Sequence, residues 1–185
     1  DDADDLATKP TASTTVTVTS PVGVYAEAIT VAGGVDENYD FTYVAADFTV
    51  TKAMLTVTAD PQTKVYGAAN PALTFQYAGF QNADDADDLA TKPTASTTVD
   101  ATTAVGTYAG ALPVAGGVDE NYDFTYVAGT FTVTALPVQL TGSRNYDGTA
   151  TVTFAILTVV NKVGMDDVTV ASGSCTLAGA TAGAQ

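Results

Sequence analysis

Carboxylates are the reactive side chains this chain has in quantity: 21 acidic against 6 basic residues, with no His and a single Cys. They gather in three places. Asp1, Asp2, Asp4 and Asp5 form one cluster, Asp84, Asp85, Asp87 and Asp88 repeat it, and Asp119, Glu120 and Asp123 follow Gly116-Gly117. Oxygen ligands at this density suit a hard cation such as Ca²⁺. The Asp clusters lack the alternating ligands, central Gly and closing Glu of an EF-hand loop, which favours a solvated helix start over a metal site. The group around Asp119 is similar to the acidic, Gly-rich nonapeptides that bind Ca²⁺ in secreted proteins. A single nonapeptide does not build a calcium roll, so a turn before a strand is the simpler reading.

Paired acids also serve glycoside hydrolysis, in which two carboxylates flank the scissile bond. Acid pairs arise here from composition alone, and no Trp is present to stack a sugar. The absence of His removes the usual neutral-pH proton carrier and the commonest metal ligand. Cys175 by itself can form neither a zinc site nor a disulfide within the chain; it is either a buried small hydrophobe or an intermolecular thiol. Lys64 or Lys92 could condense with an Asn to form an isopeptide bond, which spacing alone does not establish. No catalytic constellation emerges, no cofactor is expected beyond an optional Ca²⁺, and the expected protein is not an enzyme.

A formal charge of −15 repels phosphate backbones and anionic lipid, which argues against nucleic-acid binding and polybasic membrane attachment. No apolar run approaches the roughly 18 residues needed to span a bilayer, and residues 1 to 8 do not read as a signal peptide. Hydrophobic residues make up 46% of the chain, enough for folded cores.

The elements that must position these residues follow from an internal repeat. Residues 1–16, DDADDLATKPTASTTV, recur as 84–99, and residues 31–45, VAGGVDENYDFTYVA, recur as 114–128, both 83 residues apart. A fixed period of this length means tandem modules. Three segments result: 1–52 as a copy lacking its first strands, 53–134 as a complete unit, and 135–185 as the start of a divergent third. Nothing in 1–52 corresponds to 53–83, which holds LTVTADPQTKVYG and LTFQYAGF.

Leu55, Val57 and Ala59 alternate with Thr, as do Leu73, Phe75 and Tyr77 with Thr and Gln, and Phe131 and Val133 with Thr. Period two in Thr, Val and aromatics marks half-buried strands. Tyr122, Phe124 and Tyr126, with their counterparts Tyr39, Phe41 and Tyr43, are expected to line one strand face as core; the alternative is a binding face for carbohydrate or a partner. Gly and Pro punctuation at Asp60-Pro61, Tyr66-Gly67, Asn70-Pro71, Gly110 and Gly129 breaks the runs. The expected fold is all-β: tandem small antiparallel domains of about seven strands, sandwich-like or β-grasp-like, arranged end to end as a rod. Residues 82–93 predict one or two turns of helix in each unit, from an Asn N-cap, early carboxylates and a Lys-Pro stop. The unit joins lack any flexible spacer, so neighbours should couple stiffly.

The run LTVTADPQTKVYGAANPALTFQYAGF, then VGTYAGALPVAGG and NYDFTYVAGTFTVT, resembles the MBG domain (YGX type) found in tandem in very large bacterial surface proteins. Tyr66-Gly67, Gly106-Thr107-Tyr108 and Asn121-Tyr122 carry the likeness in the expected order. The segment with NYDGTATVTF and GMDDVTV resembles the first part of a YDG domain. The resemblance implies an extracellular, cell-surface context in an adhesin-like or matrix protein, and brings no catalytic residues. The leading expectation is a structural module of a stalk or filament; the alternative is an adhesin module that recognises a glycan or host protein. The incomplete copy is expected to be completed by strands of neighbouring repeats or of another copy of itself.

Overall fold

The computed structural model describes residues 5–145 and 147–176. Asp1, Asp2 and Asp4 lie outside the described residues, as does the Cys175 side chain. The first copy supplies β1 (Thr11–Thr14), β2 (Gly23–Ala32) and β3 (Ala46–Val50), an antiparallel sheet in that order. The second copy supplies β4 (Ala53–Ala59), β5 (Gln62–Val65), β6 (Phe75–Ala78), β7 (Thr94–Ala95), β8 (Gly106–Leu112), β9 (Val114–Ala115), β10 (Tyr122–Val127) and β11 (Gly129–Thr134). The third segment holds β12 (Leu140–Gly142), β13 (Thr151–Thr153), a 3-10 turn at Phe154–Ile156, β14 (Leu157–Val159) and β15 (Ser174–Thr176).

Two compact units divide the chain. One comprises Asp1–Pro61, Ala72–Thr98 and Ala109–Thr130; the other comprises Gln62–Pro71, Val99–Tyr108 and Phe131–Gln185. The second copy therefore contributes strands to both. In the first unit β4 is the middle of the sheet β10-β4-β6, beside the small pair β7-β9. The sheet β5-β11-β8 and the pairs β12-β14 and β13-β15 make up the rest.

The alternating sequence explains these strands. Leu55, Val57 and Ala59 of β4 are buried while Met54 is exposed, and Phe131 and Val133 of β11 are buried on either side of the half-buried Thr132. Leu55, Leu89 and Tyr122 form the core of the first unit, with Ala53, Tyr77, Phe80 and Phe124 packed against it. Phe75, Tyr77, Phe80 and Tyr122 make a continuous aromatic chain, with successive ring centroids 5.5, 5.3 and 5.6 Å apart. Burying one such side chain contributes roughly 1.5–3 kcal/mol, so this cluster anchors the repeat.

The all-β class holds, with three details corrected. Two of the sheets contain a parallel pair rather than being purely antiparallel: β10 runs parallel to β4, Tyr122 opposite Ala53, and β11 runs parallel to β5. Parallel neighbours need a long crossover, and the tens of residues between these strands provide it. The acidic segment is not helical but a succession of turns closed by Asp84 N–H to Gln81 O and Asp88 N–H to Asp85 O. Its carboxylates bond the segment's own backbone amides, which competes with helix formation.

The third correction concerns the aromatic ladder of the first copy. Residues 39–45 are not a strand, Tyr39 and Tyr43 are exposed, and Phe41 is half-buried. Local contacts are nevertheless the same in both copies. The Phe41–Tyr43 and Phe124–Tyr126 rings stack at 6.0 Å, and Gly34 and Gly117 donate backbone N–H bonds of 2.7 and 2.8 Å to Tyr43 and Tyr126 hydroxyls. What differs is β4, which pairs with β10 and has no counterpart against residues 39–45. Among the described residues of the first copy, none is buried, whereas Leu89, Val99, Leu112, Val114, Phe131 and Val133 of the second all are.

Candidate functional site

The acidic residues are placed first, because the sequence points to them. Asp85 Oδ1 accepts the Asp87 N–H at 2.7 Å and Asp88 Oδ2 accepts the Asp85 N–H at 2.8 Å, so these carboxylates close turns. Asp87 is ion-paired with Lys92, whose ammonium holds the Asp87 carboxyl below its ordinary range while the carboxylate raises the lysine. Asp84 Oδ2 accepts the buried Tyr122 hydroxyl at 2.7 Å. Asp119 Oδ1 and Oδ2 cap the N–H groups of Asn121 and Ala90 at 2.8 and 3.2 Å. Asp123 faces Lys52 at 3.8 Å, and Glu120 is exposed. Among the described residues, no three acidic or Cys side chains gather as a metal cluster. The displaced carboxyls Asp87, Asp100 and Asp147 all shift downward, opposite to the direction a general acid requires.

Two joints between consecutive segments are the sites the fold does build. At the first, within the first unit, Val22 N–H donates to Asn121 Oδ1 at 3.1 Å and Asn82 Nδ2 donates to Val18 O at 3.0 Å. Lys52 Nζ, at the boundary of the two copies, donates to Asp119 O at 2.7 Å. Beside these bonds opens a cleft of about 620 Å³, lined by Val18, Thr19, Ser20, Pro21, Val22, Val50, Thr51, Ala53, Gln81, Asn82, Asp84, Asn121 and Tyr122.

At the second joint, within the other unit, Tyr66 and Gly67 meet the third segment. The Asp166 carboxylate beside the Tyr66 hydroxyl raises the phenol above its ordinary pKa, with burial adding to the shift. Gly67 has φ +82°, where only Gly is unstrained. The remaining cavity is about 130 Å³, walled by Tyr66, Val105, Leu136, Val138, Val159, Val163 and Val168 among others. Tyr66 and Gly67, a strand break and family signature in the sequence, are thus half-buried joint residues.

Lys64 is the buried charge of β5. Its Nζ donates to Asn70 Oδ1 at 2.9 Å, to Ala68 O at 3.3 Å and to Asp100 O, and sits 5.9 Å from the Phe131 ring centroid. Asn70 in turn donates through Nδ2 to Val99 O at 2.6 Å. Three oxygens match the three ammonium protons, so the lysine that sequence offered for an isopeptide acts as a hydrogen-bonded clamp on the Tyr-Gly turn. Lys92, the other candidate, pairs with Asp87 instead.

A family model described as MBG domain (YGX type) matches residues 1–49 and 55–132. The chain belongs to the MBG domain family. No curated protein and no solved structure matches it. MBG domains are repeat modules of large surface proteins, structural or binding modules rather than a known enzyme family. The match leaves residues 133–185 outside it, so the third segment adjoins the MBG repeats without sharing their assignment. Among the described residues, no helix is long and apolar enough to cross a membrane.

Reading the MBG repeats as sequence missed Asn82, Asn121 and Lys52 as joint residues. Their signal was position: each lies within a few residues of a turn or copy boundary, where an amide or ammonium can reach the neighbouring module's backbone.

Proposed function

We propose that this chain is a non-enzymatic spacer of a bacterial surface protein, in which MBG repeats joined without flexible tethers form a stiff extracellular stalk or filament. The observation that carries this reading is the first joint, where Val22, Asn82 and Lys52 bond across the boundary between copies that follow one another directly. A hydrogen-bonded joint with no Gly/Ser-rich linker restricts the swing that a flexible tether would permit. The modules are 1–52, 53–134 and 135–185, the last YDG-like. Partners are further repeats of the same kind, end to end, and strands like β4 and β5 complete the sheet of the first copy by strand addition. The unburied aliphatic and aromatic face of that copy, set against the buried face of its near-identical neighbour, supports this partner. No metal or cofactor belongs to this role.

The test is backbone ¹⁵N relaxation on the whole chain. Correlation times that match across the first joint, and diverge when Asn82, Asn121 and Lys52 are replaced by Ala, support the spacer. Independent tumbling of residues 5–52 and 53–134 in the unaltered protein overturns it.

A further inference from the structure

We propose that the 620 Å³ cleft at the first joint is the docking site for a Tyr-Gly turn carried on a strand pair with the sequence character of β4 and β5. The proposal rests on strand completion of the first copy and specifies where its key residues go.

The template is the second joint, where the turn is present. Tyr66 N–H donates to Thr134 O at 2.8 Å and Gly67 N–H donates to Ala101 O at 3.1 Å. Tyr66 also shares its cavity with Val105 and Leu136. The residues 83 positions before these four are Thr51, Val18, Val22 and Ala53, and all four line the large cleft. The two sites are therefore the same place in consecutive repeats. Where a Tyr-Gly turn is present the remaining space is about 130 Å³; where it is not, about 620 Å³.

The receiving loop is already formed. Ser20 N–H bonds Thr17 O at 3.1 Å as Thr103 N–H bonds Asp100 O at 3.2 Å, and the Tyr25 hydroxyl bonds Pro21 O at 2.6 Å as that of Tyr108 bonds Ala104 O at 2.8 Å. Its chemistry suits a tyrosine: Val18, Val22, Val50 and Ala53 offer apolar surface for the ring. Asp84, on the acidic turn of the next repeat, lines the cleft and would offer its carboxylate to the hydroxyl, as Asp166 does beside Tyr66 at the second joint. A preformed loop lowers the ordering cost of binding. The incoming strands would lie parallel to residues 39–44 and to β3, in the register that β4 and β5 keep with β10 and β11.

The experiment adds a fluorescent synthetic peptide of residues 53–80 to the full 185-residue chain and reads anisotropy. A second peptide carries Tyr66→Ala and Gly67→Val, and a chain variant Val18→Trp fills the cleft from an exposed position. The proposal expects saturable binding of the first peptide, at least about tenfold weaker binding of the second, and a similar loss for the first peptide on the Val18→Trp chain. A photo-crosslinker at peptide position 66 should label residues 18–22. Equal binding of both peptides, or labelling of residues 101–105 instead, overturns the docking site while leaving strand completion standing. Failure of both peptides to bind overturns strand completion and this inference with it.

Discussion

Gly67 stands so close to Val163 that a β-carbon built on it would lie 2.3 Å from the Val163 Cγ2 methyl. With φ at +82°, the position excludes side chains for two reasons at once, backbone strain and contact. Gly67→Ala is therefore expected to destabilise this unit by roughly 2–4 kcal/mol, from over-packing and left-handed backbone together. Urea unfolding followed by hydrogen exchange in β12 and β14 checks it; unchanged protection there would show that the close approach is not maintained in solution.

The repeated sequence supplies its own control. Leu6 and Leu89 sit in identical 16-residue segments, yet Leu89 is 7% exposed in the Leu55–Tyr122 core while Leu6 is only half-buried. Leu89→Ala should cost about 2–5 kcal/mol and Leu6→Ala well under half of that. Equal losses in chemical denaturation would mean that the first copy has a closed core of its own.

Tyr122 gives a pH dependence with a definite sign. Burial, with the hydrogen bond to Asp84, raises its phenol above the unfolded value of about 10. The folded state thus favours the neutral form, and the stability from this group is complete below pH ~10 and lost as pH rises through the raised pKa. Tyr122→Phe should flatten the alkaline limb of the stability curve and, by losing the bond to Asp84, lower stability at neutral pH by about 1–2 kcal/mol. An alkaline limb left unchanged by Tyr122→Phe would count against burial as the cause.

Lys64→Met keeps the aliphatic stem and removes the ammonium from Asn70 Oδ1, Ala68 O and Asp100 O. A loss of roughly 1.5–3 kcal/mol is expected, as for hydrogen bonds to a charged group. The turn at residues 66–71 should lose amide protection before the rest of β5 and β11. An increase in stability would place this site with buried ions that apolar residues outperform.

Glu27 occupies the position that Gly110 holds in the second copy, and it does so at φ +51° in the bulged part of β2. Relieving a left-handed non-Gly residue outweighs the added flexibility of the unfolded chain, so Glu27→Gly should stabilise the first copy by up to about 1 kcal/mol. The bond from Glu27 N–H to Asp47 Oδ1, 2.9 Å, uses the backbone amide of residue 27 and should survive the change. A lower thermal midpoint for the variant would contradict the strain argument.

Periodicity of two in Leu55-Val57-Ala59 and Phe131-Val133, together with the 83-residue repeat, was enough to fix an all-β class, the strand faces and the family. These are local properties: side chains alternate along any extended backbone, and identical segments make identical short-range contacts, as the Phe41–Tyr43 and Phe124–Tyr126 pairs do. Tertiary structure decided what depends on a partner. NYDFTYV is strand β10 where β4 lies beside it in parallel, and irregular where no such strand does. The hydrogen bonds and the buried face of a strand belong to the pair, so neither its direction nor its formation is written in one segment. Asp85, Asp87 and Asp88 read as a helix start or a cation site, but their carboxylates close turns and pair with Lys92, because nearby backbone amides and an ammonium were within reach. Tyr66-Gly67 was visible as a motif; only the close approach of Val163 and the Asp166 carboxylate beside the hydroxyl made it a joint.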